Sequence, residues 1–322
     1  MSWPERAAAV LRSHVPAGSR VLVAVSGGPD SVALAHFMRG QPYALLIGHI
    51  DHALRKGSAR DARFVRRLAR AWDIPCRVKR KNVMAYARAH HRGVEEAARD
   101  VRYQALAEVA KHAKCSAITT AHSADDQAET VIMNFLRGSG ATGLSGMPVA
   151  RRLGPSSETL LVRPFLRVRK EQLLRYLKTH AVPYRRDPTN RSLQFSRNRI
   201  RLTTLPYLEK LNPGLRERLT QTAEIFRQEE DFWSGQVVRE FRKTVHKNGP
   251  AFTVVLPRLL GYHKALSRRI LRRVLPGSSF QDIEQVLQLA SSPEERGCLE
   301  FPGGWRVRRE KKKLVVFQKR AG

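Results

Sequence analysis

Short apolar runs alternate with amphipathic stretches through the first half of the chain. Val21-Leu22-Val23-Ala24-Val25 and Tyr43-Ala44-Leu45-Leu46-Ile47-Gly48-His49-Ile50 are nearly unbroken runs, the pattern of strands buried on both faces. Pro75-Cys76-Arg77-Val78 and Ala117-Ile118-Thr119-Thr120 read as shorter strands, and Leu161-Val162-Arg163-Pro164-Phe165 as the last of the series. Apolar residues recur at helical spacing over 31–38, 58–72, 93–112, 125–135 and 170–180. In the second of these, Phe64, Val65, Leu68 and Ala69 form one stripe, and Ser58 and Asp61 stand at the spacing of a capping box. The alternation of strand and helix predicts an α/β fold: a doubly wound, mainly parallel sheet with helices on both faces. Ligands of such sheets sit beyond the carboxyl ends of the strands.

The pattern changes after a flexible connection, Gly138-Ser139-Gly140-Ala141-Thr142-Gly143, and again at Asn212-Pro213-Gly214, which reads as a break. A long charged helix is expected from 215 to about 240, with Leu219, Ala223 and Phe226 on one face. Further helices are expected over 264–274 and 281–290, and a hairpin-like stretch over 299–307. Two domains follow: 1–214, and a smaller, mostly helical C-terminal domain over 215–322.

Charge narrows the class of partner. The 322 residues hold 59 Lys and Arg against 28 Asp and Glu, a formal net charge of +31. A field of that size attracts polyanions, nucleic acid above all. The basic residues lie along the whole chain rather than in one block, which argues against a membrane surface. A hydrophobic content of 42% is enough for real cores, so the chain is not a disordered basic tail. The three cysteines, Cys76, Cys115 and Cys298, are far apart and form no Cys-x-x-Cys pair, so reduced thiols are the simple reading. With no secretory profile at the N-terminus and no apolar run of spanning length, the expected location is the cytoplasm.

The most informative segment is Ser26-Gly27-Gly28-Pro29-Asp30-Ser31, set between the first strand and its helix. A strand that turns through two glycines into a helix leaves unpaired N–H groups at the helix start. With the helix dipole and the hydroxyls of Ser26 and Ser31, these make a site for phosphate or pyrophosphate. The glycines are expected because a Cβ would hold the backbone away from the anion and oppose positive φ. A Walker loop needs a Gly-Lys-Ser/Thr ending after a strand, and a dinucleotide fold needs G-x-G-x-x-G; neither is present. The hexapeptide resembles instead the PP-loop of the N-type ATP pyrophosphatases, which cleave ATP to AMP and pyrophosphate. A plain Gly-rich helix cap is the alternative.

Three more polar clusters accompany the loop: Asp51-His52-Ala53-Leu54-Arg55, the stretch Glu95 to Tyr103 with Arg99 and Arg102, and Thr120-Ala121-His122-Ser123-Ala124-Asp125-Asp126-Gln127-Ala128-Glu129-Thr130. Asp125 and Asp126 lie four and three positions before Glu129, so all three share a face near a helix N-terminus. Acidic groups there also serve the dipole. Beside His122 and a phosphate loop of the same sheet, they point to catalysis or to Mg²⁺. His52 and His122 lack a third soft ligand at zinc spacing.

Taken together and in this order, the clusters resemble the tRNA(Ile)-lysidine synthetase family of PP-loop enzymes. The resemblance extends to Leu161-Val162-Arg163-Pro164-Phe165-Leu166, to Asp187-Pro188-Thr189-Asn190 and to Arg197-Asn198-Arg199-Ile200-Arg201, covering about the first 210 residues. Lys56 and Ser123 depart from the family's frequent residues. What the resemblance implies is ligation of free L-lysine to the 2-carbon of the wobble cytidine in a CAU-anticodon tRNA(Ile). ATP first adenylates the base and releases pyrophosphate, and the amine then expels AMP.

On that reading Ser26, Gly27, Gly28, Pro29, Asp30 and Ser31 bind ATP, with Mg²⁺ near Asp30. Asp126, Glu129, Arg99 and His122 are the candidate catalytic residues. Asp51, His52, Arg55, Arg102, Asp125, Arg197, Asn198 and Arg201 are the candidates for binding substrate or tRNA. The amine of free lysine has a pKa of about 10.4, so Asp126 or Glu129 is assigned to take its proton. Arg99 and Arg102 are assigned to phosphate or the cytosine edge, Arg197 and Arg201 to RNA phosphate, and Asp187 and Asn190 to ordering their loop. The rival readings are a tRNA-thiolating PP-loop enzyme, an amide-nitrogen ligase and a non-catalytic basic RNA-binding protein. The oligomeric state is left open, a homodimer included.

Overall fold

The computed structural model describes residues 1–53, 57–154, 159–185, 196–294 and 296–318. They form two compact units, Met1–Arg227 and Gln228–Gly322. In the first, the elements run α1 (Trp3–His14), β1 (Arg20–Ala24), α2 (Pro29–Met38), β2 (Ala44–Asp51), α3 (Ser58–Ala71), β3 (Cys76–Arg80), α4 (Val83–Ala89) and α5 (Val94–His112). They continue with β4 (Ala117–Thr119), α6 (Ala124–Leu136), α7 (Ala141–Leu144), β5 (Ala150–Arg152), β6 (Leu160–Val162) and α8 (Lys170–Thr179). The helix α9 (Ser196–Arg199) passes through a π-helical turn, Ile200–Thr204, into α10 (Leu205–Leu211), and α11 (Leu215–Thr244) follows.

The six strands lie in the order β3-β2-β1-β4-β6-β5. All pairs are parallel except β5 with β6. Val23 pairs with Ile47 on one side and Thr119 on the other, so β1 is central and its two faces enter different cores. Val21 and Val23 pack with Leu34, Phe165 and Leu173 of the α2 and α8 side. Leu22 packs with Leu106, Ile118 and Leu161 on the α5 side. Fully burying one such side chain contributes about 1.5–3 kcal/mol, and burial on both faces is why the strand reads as an unbroken apolar run. The strand order reverses between β1 and β4, which opens a crevice at their carboxyl ends. The doubly wound α/β expectation holds.

Several details differ from the sequence reading. The strand expected over 161–165 is the shorter β6, because Pro164 has no N–H to continue a ladder. The antiparallel β5, with two arginines in three residues, carries no strand pattern. Helices α1 and α4 were not anticipated. Ser58 does not cap α3: Gly57 is the N-cap without a side-chain bond, and the Ser58 hydroxyl bonds Asp51 instead. The expected break at Asn212-Pro213-Gly214 precedes α11, whereas the two compact units divide inside that helix, after Arg227.

The second unit adds β7 (Val245–Asn248), β8 (Ala251–Val255), α12 (Leu256–Gly261), α13 (Lys264–Val274), α14 (Phe280–Ser291), β9 (Arg296–Phe301), β10 (Trp305–Glu310) and β11 (Lys313–Gln318). With the end of α11 counted, its helices hold more of its described residues than its strands do. Its strands form an antiparallel sheet, β7-β8-β11-β10-β9, around a core that includes Val254, Leu271, Ile283, Val307 and Val316. The hairpin expected over 299–307 is the β9–β10 corner of this sheet. Among the described residues no helix is long and apolar enough to cross a membrane.

Candidate active site

The loop between β1 and α2 is held open by its own side chains. The Ser26 N–H donates to Ser31 Oγ (3.1 Å), the two hydroxyls lie 3.1 Å apart, and Ser31 Oγ donates to the Gly28 carbonyl (2.9 Å). Gly27 has φ +93°, a conformation that L side chains rarely adopt. Gly28 has φ −72° and forms the N-cap of α2, so its lack of a side chain is not a conformational need. With Pro29 at the first helical position, the amides of Asp30 and Ser31 begin a helix whose cap residue offers no side-chain acceptor. Such a helix start suits an anion.

Beside the loop is a buried carboxylate cluster. Ser123 caps α6, and both its N–H (2.9 Å) and its hydroxyl (2.8 Å) donate to Asp126 Oδ2. The other oxygen, Oδ1, faces Lys170 Nζ at 2.9 Å. The same ammonium lies 3.9 Å from Asp30 and 3.8 Å from Glu129. Glu129 is 1% exposed and is gripped by two guanidiniums: Arg201 donates to both its oxygens (2.6 and 2.9 Å) and Arg197 to one (2.8 Å). The π-helical turn carries Arg201, one helical turn beyond Arg197, so both reach the same carboxylate.

Electrostatics separates the acids. Burial raises the Asp30 carboxyl to about 6, against the opposing pull of Lys170. Burial pushes Asp126 up too, but Lys170 and Arg197 outweigh it and hold this carboxyl well below the usual range. Lys170 stays charged because Asp126 and Glu129 overcome its own burial. Asp126 is therefore a permanent anion, suited to binding a cation and poorly suited to taking a proton.

A cationic group lies near the cluster. The guanidiniums of Arg99, Arg102 and Arg151 lie 5.8, 5.4 and 5.2 Å from the Tyr103 ring centre. Arg163 is 1% exposed and donates to the Pro148 carbonyl (2.6 Å), while its Nε has no partner among the described residues. Burial lowers the Arg102 value, and Arg99 and Arg197 add to this although Tyr103 opposes it. His122 is driven well below its ordinary value by burial and then by Arg163; its Nδ1 pairs with Thr120 Oγ1 at 2.9 Å. His52 falls to about 4 by burial and Arg102, and its Nδ1 is buried without a partner among the described residues. Both imidazoles are neutral near pH 7. Crowded guanidiniums, one with a buried Nε that has no partner among the described residues, suit an anion.

Not every expected residue joins this assembly. The Asp51 carboxylate accepts from the Ala53 N–H (2.9 Å) and Ser58 and so shapes the end of β2. Asp125 is engaged by the Lys170 N–H (2.8 Å) and Arg216 (2.7 Å), tying α6 to α8 and α11. Arg197 and Arg201, expected at RNA phosphate, turn inward onto Glu129. Asn198 is half-buried in α9. Arg55, Asp187 and Asn190 lie outside the described residues.

Two residues of the site were missed. Lys170 follows Arg169 at the start of α8, where the helix dipole disfavours cations; that mismatch was the available signal of carboxylate partners. Arg163 is a lone charge inside an apolar run, which likewise marks a buried partner or ligand.

Fold and crevice together define a PP-loop nucleotide-binding protein, and a family model described as PP-loop domain matches residues 5–208. A tRNA(Ile)-lysidine synthase of Bacillus subtilis is 33% identical over 303 residues, 90% of this chain and 64% of that protein. Another of that name, from Thermosynechococcus vestitus, is 34% identical over 304 residues, 91% of this chain and 85% of that protein. The chain belongs to the tRNA(Ile)-lysidine synthase family. It spans just under two thirds of the Bacillus subtilis relative's length. Among solved structures, the U34-tRNA thiolase NcsA from Methanococcus maripaludis has a TM-score of 0.57 at 15% identity, covering 70% of this chain and 80% of its own, a likeness of fold.

Proposed function

We propose that this chain is an ATP-dependent ligase that joins free L-lysine to the 2-carbon of the wobble cytidine of a CAU-anticodon tRNA(Ile). One observation carries the reading. Beside a phosphate-binding loop, three carboxylates already surround a primary ammonium, that of Lys170. An anion subsite and an ammonium subsite thus adjoin, as a reaction between a nucleotide and an amine needs.

In the first step, the cytidine O2 attacks the α-phosphorus of ATP and pyrophosphate leaves. In the second, the lysine ε-nitrogen attacks C2, the C2–O bond breaks, and AMP departs carrying the former O2 while the amine loses its proton. The amides of Asp30 and Ser31 and the hydroxyls of Ser26 and Ser31 would receive phosphate oxygens. Arg99, Arg102 and Arg163 would neutralise charge that develops on the transferring phosphate. Neutral His122 and His52 would offer ring nitrogens to the base edge. Asp126 and Glu129 would hold an ammonium of the incoming lysine, a role that suits the lowered Asp126 carboxyl.

A hard oxygen donor fits Mg²⁺, and Asp30 is the carboxylate of the cluster least satisfied by the chain's own cations, with Lys170 at 3.9 Å. Asp30 would hold the ion together with triphosphate oxygens, and the ion would supply charge neutralisation. A thiolation reading has less support. Cys76 begins β3 and Cys115 precedes β4, so both lie at the amino ends of strands, opposite the site.

The deciding experiment incubates the protein with ATP, labelled lysine and a CAU-anticodon tRNA transcript, followed by nucleoside mass analysis. Lysine should appear on one cytidine with stoichiometric AMP. Label-free RNA with no ATP consumption would refute the proposal.

A further inference from the structure

The outer face of α3 carries five exposed arginines, Arg60, Arg63, Arg66, Arg67 and Arg70, in fourteen residues. None of the five is ion-paired among the described residues. Like charges three and four apart on a helix repel one another. The helix's single acidic residue, Asp61, is already bonded by Arg185 at 2.6 Å. These arginines and Arg185 line a cleft of about 410 Å³. At 1.5 Å rise per residue, the row from Arg60 to Arg70 is about 15 Å long, enough to face several consecutive phosphates of one strand. The face exposes no large apolar side chain that a lipid surface would require.

The row is joined to the PP-loop. The Arg185 N–H donates to the Gly27 carbonyl (2.9 Å), while its side chain holds Asp61. On the inner side of α3, Phe64 lies 3.4 Å from where a Cβ on Gly27 would stand. One face of the helix backs the nucleotide loop and the other presents guanidiniums to solvent. We propose that the arginine face of α3 is a docking track for the sugar–phosphate backbone of the RNA whose base reacts at the PP-loop. This rests on the function proposed above and gives the catalytic unit its own RNA grip. Guanidiniums that contact phosphates set affinity and register, not base choice.

The test uses the full chain and a CAU-anticodon tRNA transcript, with affinity measured across a salt series. Each lost phosphate contact lowers the slope of log affinity against log salt by about 0.7–0.9. The triple variant Arg63→Gln, Arg67→Gln, Arg70→Gln should lose about 2 from that slope and bind tenfold or more weakly near 0.1 M salt. The matching Arg→Lys triple variant should keep the slope. In the unmutated chain, RNA should protect these arginines from an arginine-specific dicarbonyl reagent, read by peptide mass, which needs no variant to fold. An unchanged slope in the glutamine variant, or full reagent access in the complex, overturns the track. Weaker ATP binding with RNA affinity intact would assign the face to nucleotide phosphate and also overturn it. An unmutated chain that binds no RNA sinks the proposed function itself.

Discussion

Asp30 is the residue whose proton matters most near neutrality. Its carboxyl is raised from 3.8 to about 6 by burial. A raised acid favours the folded state most fully below 3.8, and that contribution is lost as pH rises through about 6. The interval corresponds to ~3 kcal/mol. Asp30→Asn removes the titration, so without nucleotide or metal the variant should gain on the parent by up to ~3 kcal/mol between pH 4 and pH 7. Urea unfolding at several pH values measures this, and parallel profiles would contradict it. At this scale the sequence was informative about identity and poor about partnership. Ser26, Asp30, Asp126 and Glu129 were legible because loop and spacing placed them. The ion pairs of Arg197 and Arg201 with Glu129 cross 68 to 72 positions of chain, beyond any local pattern. Whether Asp126 can act as a base depends on its cations, and one of them, Lys170, shows in the sequence only as a cation at the start of a helix.

At the level of elements, the start of α6 shows how a cap can aim a functional group. Ser123 bonds Asp126 Oδ2 and turns Oδ1 toward the Lys170 ammonium. Ser123→Ala should cost about 1 kcal/mol, a fall of roughly 2–4 °C in Tm for a domain of this size. It should raise the KM for lysine more than that for ATP, because Oδ2 of Asp126 then keeps only the Ser123 amide and the carboxylate is aimed less firmly. Calorimetry and steady-state kinetics check the two halves, and an equal rise in both KM values would separate the cap from the ammonium subsite. The central strands and their helices were readable because they are buried on two faces or one, which writes a period into the sequence. β5 and most of the second unit's sheet were not, because charged residues interrupt their alternation and pairing partners are distant. Helix α1 comes before the first strand and α4 is only seven residues long, so neither stood out in the alternation.

For the whole molecule the governing quantity is the net charge of +31. Six to ten phosphate contacts would weaken RNA binding by about 10³–10⁵ between 50 and 200 mM salt. Filter binding with the tRNA transcript checks this, and a change under tenfold would mean that backbone contacts are not the main source of affinity. Charge is global information, so it was the easiest part of the chain to read and the least able to say where RNA lies.

Lys170 clasps neighbouring acids at its two ends, Asp125 with its amide and Asp126 with its ammonium. A change at Asp125 would therefore travel along one residue's own covalent frame into the carboxylate cluster. Such a variant would mimic a chemical defect while touching no reactant, and turnover alone would misassign it. Only separate binding measurements for the amine and the nucleotide would tell a slipped scaffold from a missing participant.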